Sequence, residues 1–250
     1  MLLISRISLI LLASLLALSS CATIEKRKEE SSIHYRLGVV HLSEGNLSDA
    51  LKELTTAVEL YPGDPSYHNS LGLAYFARGM NEDAKREMKE AVRLDPKFSE
   101  AHVNLSAVYM VERRWDLALE ESREAVKIIF YRTPEAAYTN MGWAYHNKGD
   151  YQNALESYRK ALELNPNYAL AYYNMGITMD KTDNLKGSIE AFERAVRADP
   201  RYMDAYFRLG EAYMKAREKE AAIKAFEKVV EISPSSDRAR ASKDYINLLK

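Results

Sequence analysis

The sequence predicts an all-α protein built as a solenoid of stacked helix pairs, and three observations carry that prediction. A small residue recurs at Gly38, Gly72, Ser106, Gly142, Gly176 and Gly210, at separations of 34, 34, 36, 34 and 34 residues. The same pattern surrounds each of them: YRLGVVH, NSLGLAY, VNLSAVY, TNMGWAY, YNMGITM and FRLGEAY. Six of the seven prolines close these periods, at Pro62, Pro96, Pro134, Pro166, Pro200 and Pro234. A fixed period of this length means one supersecondary unit stacked on copies of itself.

The first twenty residues stand outside the repeats. Arg6 and the amino terminus form a small positive region, and Ile7 to Leu18 is an unbroken run of apolar residues and serine. A dozen residues fall well short of the ~20 needed to span a bilayer, so the run reads as the core of a secretory signal. It ends in Leu18-Ser19-Ser20-Cys21, with the only cysteine of the chain. This resembles the lipobox of bacterial lipoproteins, which implies that Cys21 is acylated and becomes the first mature residue. Ala22 stands where an aspartate commonly marks inner-membrane retention, so an outer-membrane anchor facing the periplasm is expected. Residues 21–30 are expected to be the acylated cysteine and a short polar tether.

Six units follow, at 31–64, 65–98, 99–134, 135–168, 169–202 and 203–236. Apolar residues at i, i+3, i+4 and i+7 mark a first helix over about positions 1 to 14 of each. Glycine at position 15 (Gly45, Gly79, Gly149) suits a left-handed C-cap. A second helix runs to the proline, which cannot continue it. Small residues at positions 8, 20 and 27 let the two backbones approach, and larger ones at positions 4, 7, 11 and 24 are expected to fill the space between units. No unit buries its face alone, so stacking supplies the core. The third unit has two extra residues within 128–135, and Ser122 replaces the large residue found at position 24 elsewhere. Both predict a looser third unit. Residues 237–250 read as a solvating cap helix with Ala239, Tyr245, Ile246 and Leu249 turned inward.

This 34-residue pattern resembles the tetratricopeptide repeat (TPR), which implies a right-handed superhelix of six helix-turn-helix repeats and a carboxy-terminal capping helix. It also implies a binding surface on the first helix of each unit.

Composition removes several classes of function. With 35 Lys and Arg against 36 Asp and Glu, the chain lacks the cationic surplus of a nucleic-acid binder. A single cysteine provides no internal disulfide and no thiolate cluster. His34, His68 and His102 all occupy position 4 of successive units. Helices of stacked units lie at least about 8–10 Å apart, too far for shared zinc bonds of about 2.1 Å, so these are expected to be packing residues. No phosphate loop, HExxH or nucleophile elbow is present. The expectation is a binding protein with no enzymatic activity, no cofactor, no metal and no small-molecule substrate.

Position 6 of the central units reads Asn104, Asn140 and Asn174. An amide offers donors and an acceptor together, so it can pair with a peptide's N–H and C=O. Two readings stand for this ladder: it holds an extended peptide, or it bridges neighbouring helices and meets water. Beside it runs an apolar stripe of Tyr35, Val39, Leu73, Phe76, Val103, Met110, Trp143, Tyr173, Ile177 and Phe207. Aromatic anchors of this kind dominate many interfaces. The candidate groove is therefore Asn104, Asn140, Asn174, Trp143, Phe76, Leu73, Tyr173, Ile177 and Phe207, with an external protein or peptide as the favoured occupant; the alternatives are that residues 237–250 fold back into it or that a second copy of the chain fills it.

The lipobox, six repeats and lengthened third unit together resemble the pilotins, the type IV pilus biogenesis and stability lipoproteins. That resemblance implies an outer-membrane adaptor that helps a secretin assemble. The alternative with the same layout is an envelope scaffold lipoprotein that organises peptidoglycan enzymes.

Overall fold

The computed structural model describes residues 24–128 and 131–250; the leader and Cys21 lie outside them. Thirteen helices and no strand occur among the described residues. They are α1 (24–43), α2 (Leu47–Leu60), α3 (Pro65–Ala77), α4 (Asn81–Leu94), α5 (Ser99–Val111), α6 (Trp115–Val126), α7 (Pro134–Asn147), α8 (Tyr151–Leu164), α9 (Ala169–Lys181), α10 (Leu185–Ala198), α11 (Met203–Lys215), α12 (Lys219–Ile232) and α13 (Asp237–Leu249). The chain divides into two compact bodies, Met1–Val108 and Tyr109–Lys250, with the division inside α5.

Each turn within a helix pair is made the same way. Gly45, Gly79 and Gly149 sit at φ of 77°, 78° and 80°, as expected for a left-handed cap. The backbone repeats this conformation at Arg113, Asp183 and Arg217, with φ of 58°, 58° and 62°. The following N–H reaches back to the last helical turn, from Met80 to Tyr75 O at 2.9 Å and from Glu218 to Tyr213 O at 2.9 Å. This is the Schellman arrangement, which satisfies carbonyls that the helix end would otherwise orphan. The motif is thus set by the repeat and tolerates a strained residue where glycine is missing.

Three of the turns between pairs are built from an Asx-Pro step. Asp95, Asn165 and Asp199 accept the N–H two residues later, at Lys97, Asn167 and Arg201, over 2.9 to 3.1 Å. The intervening proline has no N–H to compete for that oxygen. Pro134 departs from the expected pattern. It opens α7 instead of closing the unit before it, as Pro65 opens α3. Proline suits a first helical position because the missing N–H has no helical partner there. The lengthened third unit therefore has α6 ending at Val126 and a connection over residues 127–133. Within that connection, residues 129 and 130 lie outside the described residues.

Packing within each pair rests on one close approach. A Cβ added at Gly176 or Gly210 would come within 2.6 Å of the ring of Phe192 or Phe226, respectively. Gly38 faces Leu54, Gly72 faces Met88, and Gly142 faces Tyr158 in the same way. The position-24 residue thus wedges between the two helices of its own unit. It also reaches onward: Phe192 clusters with Leu209 and Ala212 of the next first helix. In the third unit, Ser106 and Ser122 are both wholly buried.

Two expectations about the ends have different outcomes. The cap helix is α13, begun by Ser236, whose hydroxyl accepts the Ala239 N–H. Ala239 and Ile246 are buried, and Tyr245 stacks on Phe226 with centroids 5.0 Å apart. The expected tether, by contrast, is helical over residues 24–30 and continuous with α1. Those residues (IEKRKEE) contain no glycine or proline and are mostly good helix formers, so nothing stops the helix from extending. Ser31 is buried, with its hydroxyl on Lys28 O at 2.8 Å.

Replacing Gly176 with alanine gains about 1 kcal/mol of helix propensity but overpacks Phe192, which costs about 1–3 kcal/mol. Gly176→Ala is therefore expected to lower the denaturant midpoint while leaving the helical circular dichroism intact. An increase would show that Phe192 can yield.

Candidate functional site

In the first body, the position-4 histidines are staples between helices. His34 Nδ1 meets Glu53 Oε2 at 2.6 Å. His68 Nδ1 meets Glu87 Oε2 at 2.8 Å, and its Nε2 meets Pro62 O at 3.0 Å. A carbonyl oxygen only accepts, so Nε2 of His68 carries a proton; Nδ1, facing a carboxylate, carries another. Acceptors facing both ring nitrogens thus favour the imidazolium form of His68. Burial by itself would lower its pKa, but the bonds to Glu87 and Pro62 outweigh burial and raise it. Burial would raise the Glu87 carboxyl, and His68 and Arg86 together hold it below the ordinary range. His102 repeats the second half of the pattern, with Nε2 on Pro96 O at 3.2 Å.

Sequence reasoning placed these histidines in the packing but missed the carboxylates. The signal was present: position 23 is Glu53, Glu87 and Glu121 where position 4 is histidine. It becomes Ser157, Ala191 and Ala225 where position 4 is tyrosine.

The first body's share of the candidate groove is mixed. Leu73 and Phe76 on α3 are half-buried and Val39 on α1 is 37% exposed. Tyr35 instead stacks on Tyr67 at 4.7 Å and belongs to the packing. Asn104 Nδ2 donates to Asn69 Oδ1 at 2.9 Å. Of the two readings of the asparagines, Asn104 thus takes the bridging one.

In the second body, Asn140 and Trp143 lie on α7, and Tyr173, Asn174 and Ile177 lie on α9. Trp143 is half-buried, and its indole lies flat on His146, with centroids 4.9 Å apart and planes 4° apart. The His146 ring is fixed in turn. The Thr178 hydroxyl donates to Asn174 O at 2.9 Å, so its oxygen accepts from His146 Nδ1–H, also at 2.9 Å. Tyr151 meets the other side of the imidazole edge-on at 5.5 Å. Burial and the nearby Lys181 lower the His146 pKa, which keeps the ring under Trp143 neutral. Asn140 is half-buried, whereas Asn174 is only 8% exposed. Tyr173 packs between Phe192 and Tyr202 at 6.0 and 4.9 Å, and Ile177 packs on the Phe192 cluster.

Phe207 does not line a surface. It is 5% exposed, edge-on to Phe226 at 5.7 Å, and covered by Arg238 at 4.5 Å over its ring. Arg238 is itself held by Asp204 at 3.1 Å. The cap helix α13 thus occupies the place expected for a ligand at this unit. Of the occupants that the sequence left open, residues 237–250 are thus the ones that cover Phe207.

Near α13, a cavity of about 280 Å³ lies among Asp180, Arg208, Glu211, Lys215 and Tyr245. Its charges are already matched, Lys215 with Asp180 at 2.6 Å and Arg208 with Glu211 at 2.9 Å. Among the described residues, no group of His, Cys, Asp or Glu is placed to hold a metal ion. What these faces offer is a rigid aromatic ring, flanking amides and paired charges, which suits contact with a polypeptide.

Tetratricopeptide-repeat families match residues 22–65 and 180–237, 65–98, 135–168 and 157–190. No curated protein matches the chain at a significant level. Among solved structures, PilF of Pseudomonas aeruginosa is 17% identical with a TM-score of 0.72, covering 88% of this chain and 99% of that one. PilW, described as a widely conserved type IV pilus biogenesis factor, is 16% identical with a TM-score of 0.76, covering 84% and 97%. YrrB, described as a TPR protein with an unusual peptide-binding site, is 21% identical with a TM-score of 0.51, covering 76% and 97%.

Two tests follow from the histidines. Because the His68 pKa is raised by folding, its pairing adds stability that is full below the unfolded value of about 6.5 and fades as pH rises through the folded value. The midpoint difference between the natural chain and His68→Gln should therefore be larger at pH 5.5 than at pH 8.5; a constant difference would exclude the ion pair. Removing the ring beneath Trp143 with His146→Ala should shift indole emission to the red without loss of helix, and unchanged emission would show that the stack does not hold the indole.

Proposed function

Because the chain belongs to the tetratricopeptide-repeat family, we propose that it acts by holding another polypeptide and performs no catalysis of its own. In this reading it is a lipoprotein anchored through Cys21 in the outer membrane, facing the periplasm. Its task is that of a pilotin: to keep a secretin or its precursor at the membrane while the pore assembles. Trp143 carries the binding half of the proposal. A large ring that the core does not need is held in one orientation by His146, Thr178 and Asn174, so little side-chain entropy is lost when a partner packs on it. Asn140 stands one helical turn away, half-buried, and Tyr173 and Ile177 on α9 are partly buried as well. Leu73 and Phe76 present a similar apolar face in the first body. Phe207 and Asn174 are not contact residues in this account.

The pilus half is supported by size as well as fold. The chain spans 99% and 97% of the PilF and PilW structures, so the likeness extends over nearly the whole of each.

Deleting the protein from its host should leave the secretin monomeric, while an undiminished multimer would exclude the pilotin role. Trp143→Ala combined with Asn140→Ala should reduce secretin co-purification at least about tenfold, the loss expected of a central aromatic anchor, with helical content unchanged. Unaltered capture would remove this face from the account.

A further inference from the structure

Positions 3, 7 and 10 of the first helix in a unit are where the preceding unit packs. They are buried at Tyr67, Leu71 and Ala74 in the second unit, and at Ala205, Leu209 and Ala212 in the sixth, none more than 5% exposed. In α1 the same positions are Ile33, Leu37 and Val40, which are 47%, 47% and 50% exposed. Their spacing of four and three residues places them in one stripe on the helix, on the side opposite Gly38 and Leu42. The repeat therefore begins with its stacking face uncovered. A solenoid normally closes its ends with polar capping faces. The carboxy-terminal helix α13 does so, exposing Arg240, Lys243, Asp244 and Asn247.

We propose that the occupant of the α1 stripe is the surface of the lipid bilayer, so that the first unit lies in the membrane interface instead of hanging from it. This rests on the reading of Cys21 as the anchor. Because α1 is helical from residue 24, only Ala22 and Thr23 separate the acylated residue from a rigid helix. Three residue steps of fully extended chain reach about 10 Å, so the amino-terminal end of α1 stays at the headgroup layer while the lipid is inserted, and a helix lying flat there brings the stripe into that layer. An apolar stripe held there gains by entering the boundary between headgroups and acyl chains, as interfacial helices do. The charges around the stripe, Lys26 and Arg36 against Glu29, Glu30 and Glu44, carry no cationic surplus. The fit is thus to a zwitterionic surface and does not depend on anionic lipid.

The lone thiol permits a test that bypasses cellular acylation. The mature chain, beginning at Cys21, is coupled to a maleimide lipid in phosphatidylcholine vesicles with and without brominated acyl chains. A tryptophan is introduced by Leu37→Trp, or by Glu59→Trp as a control on α2. Bromolipid should quench the added emission of Leu37→Trp about twofold or more and leave that of Glu59→Trp unchanged, as expected for a helix lying in the interface. Adding Ile33→Glu and Val40→Glu to Leu37→Trp should abolish the quenching without loss of helix. Absence of quenching at position 37, equal quenching at both sites, or a blue shift that depends only on protein density would overturn the proposal, the last by pointing to a second copy as occupant. Mass spectrometry of Cys21 from cells tests the anchor separately; a free thiol there would sink that reading and leave the vesicle result to judge the stripe.

Discussion

The repeat depends on a contact between a glycine and a large side chain sixteen residues later. Removing one Cβ from the first helix lets a leucine, methionine, tyrosine or phenylalanine of the second lie directly on its backbone. That residue is nearly or wholly buried in every such pair. Protein interiors are packed like crystals, so a contact this close fixes how the two helices approach. The third unit carries Ser106 and Ser122 at these two positions, each wholly buried.

Because the backbone approach is fixed, the turns are fixed too. The left-handed residue after each first helix appears whether or not glycine occupies it. Arg113, Asp183 and Arg217 carry a conformation that costs an L-residue about 1–2 kcal/mol. Stacking on both sides over-determines these positions and sustains the strain. The same logic accounts for the histidine staples. A buried imidazolium is tolerable only because a carboxylate and a carbonyl meet its two nitrogens. Tyrosine at the same position needs no such support, and the carboxylate disappears with it.

The surfaces left over explain why the two bodies offer different faces. In the second body, hydrogen bonds from one unit to the next hold Trp143 still, and α13 removes Phe207 from reach. In the first body, the analogous amide of Asn104 is spent on Asn69. A ladder of equivalent residues in sequence is thus not a row of equivalent groups in space. Each amide answers to its own neighbours before it can answer to a ligand.

Much of the architecture was legible without coordinates. The period, the glycines, the prolines that stop second helices and the cap helix are local or strictly periodic signals, and helix pairing follows from them because no unit can bury its face alone. What tertiary structure decided was occupancy. Whether Phe207 or Ile33 meets water depends on what lies beyond the repeat, at α13 and at the open start of α1, and no periodic pattern encodes its own ends. The helical state of residues 24–30 was likewise hidden, since a polar stretch reads as a tether until a helix behind it supplies the nucleus from which it can extend.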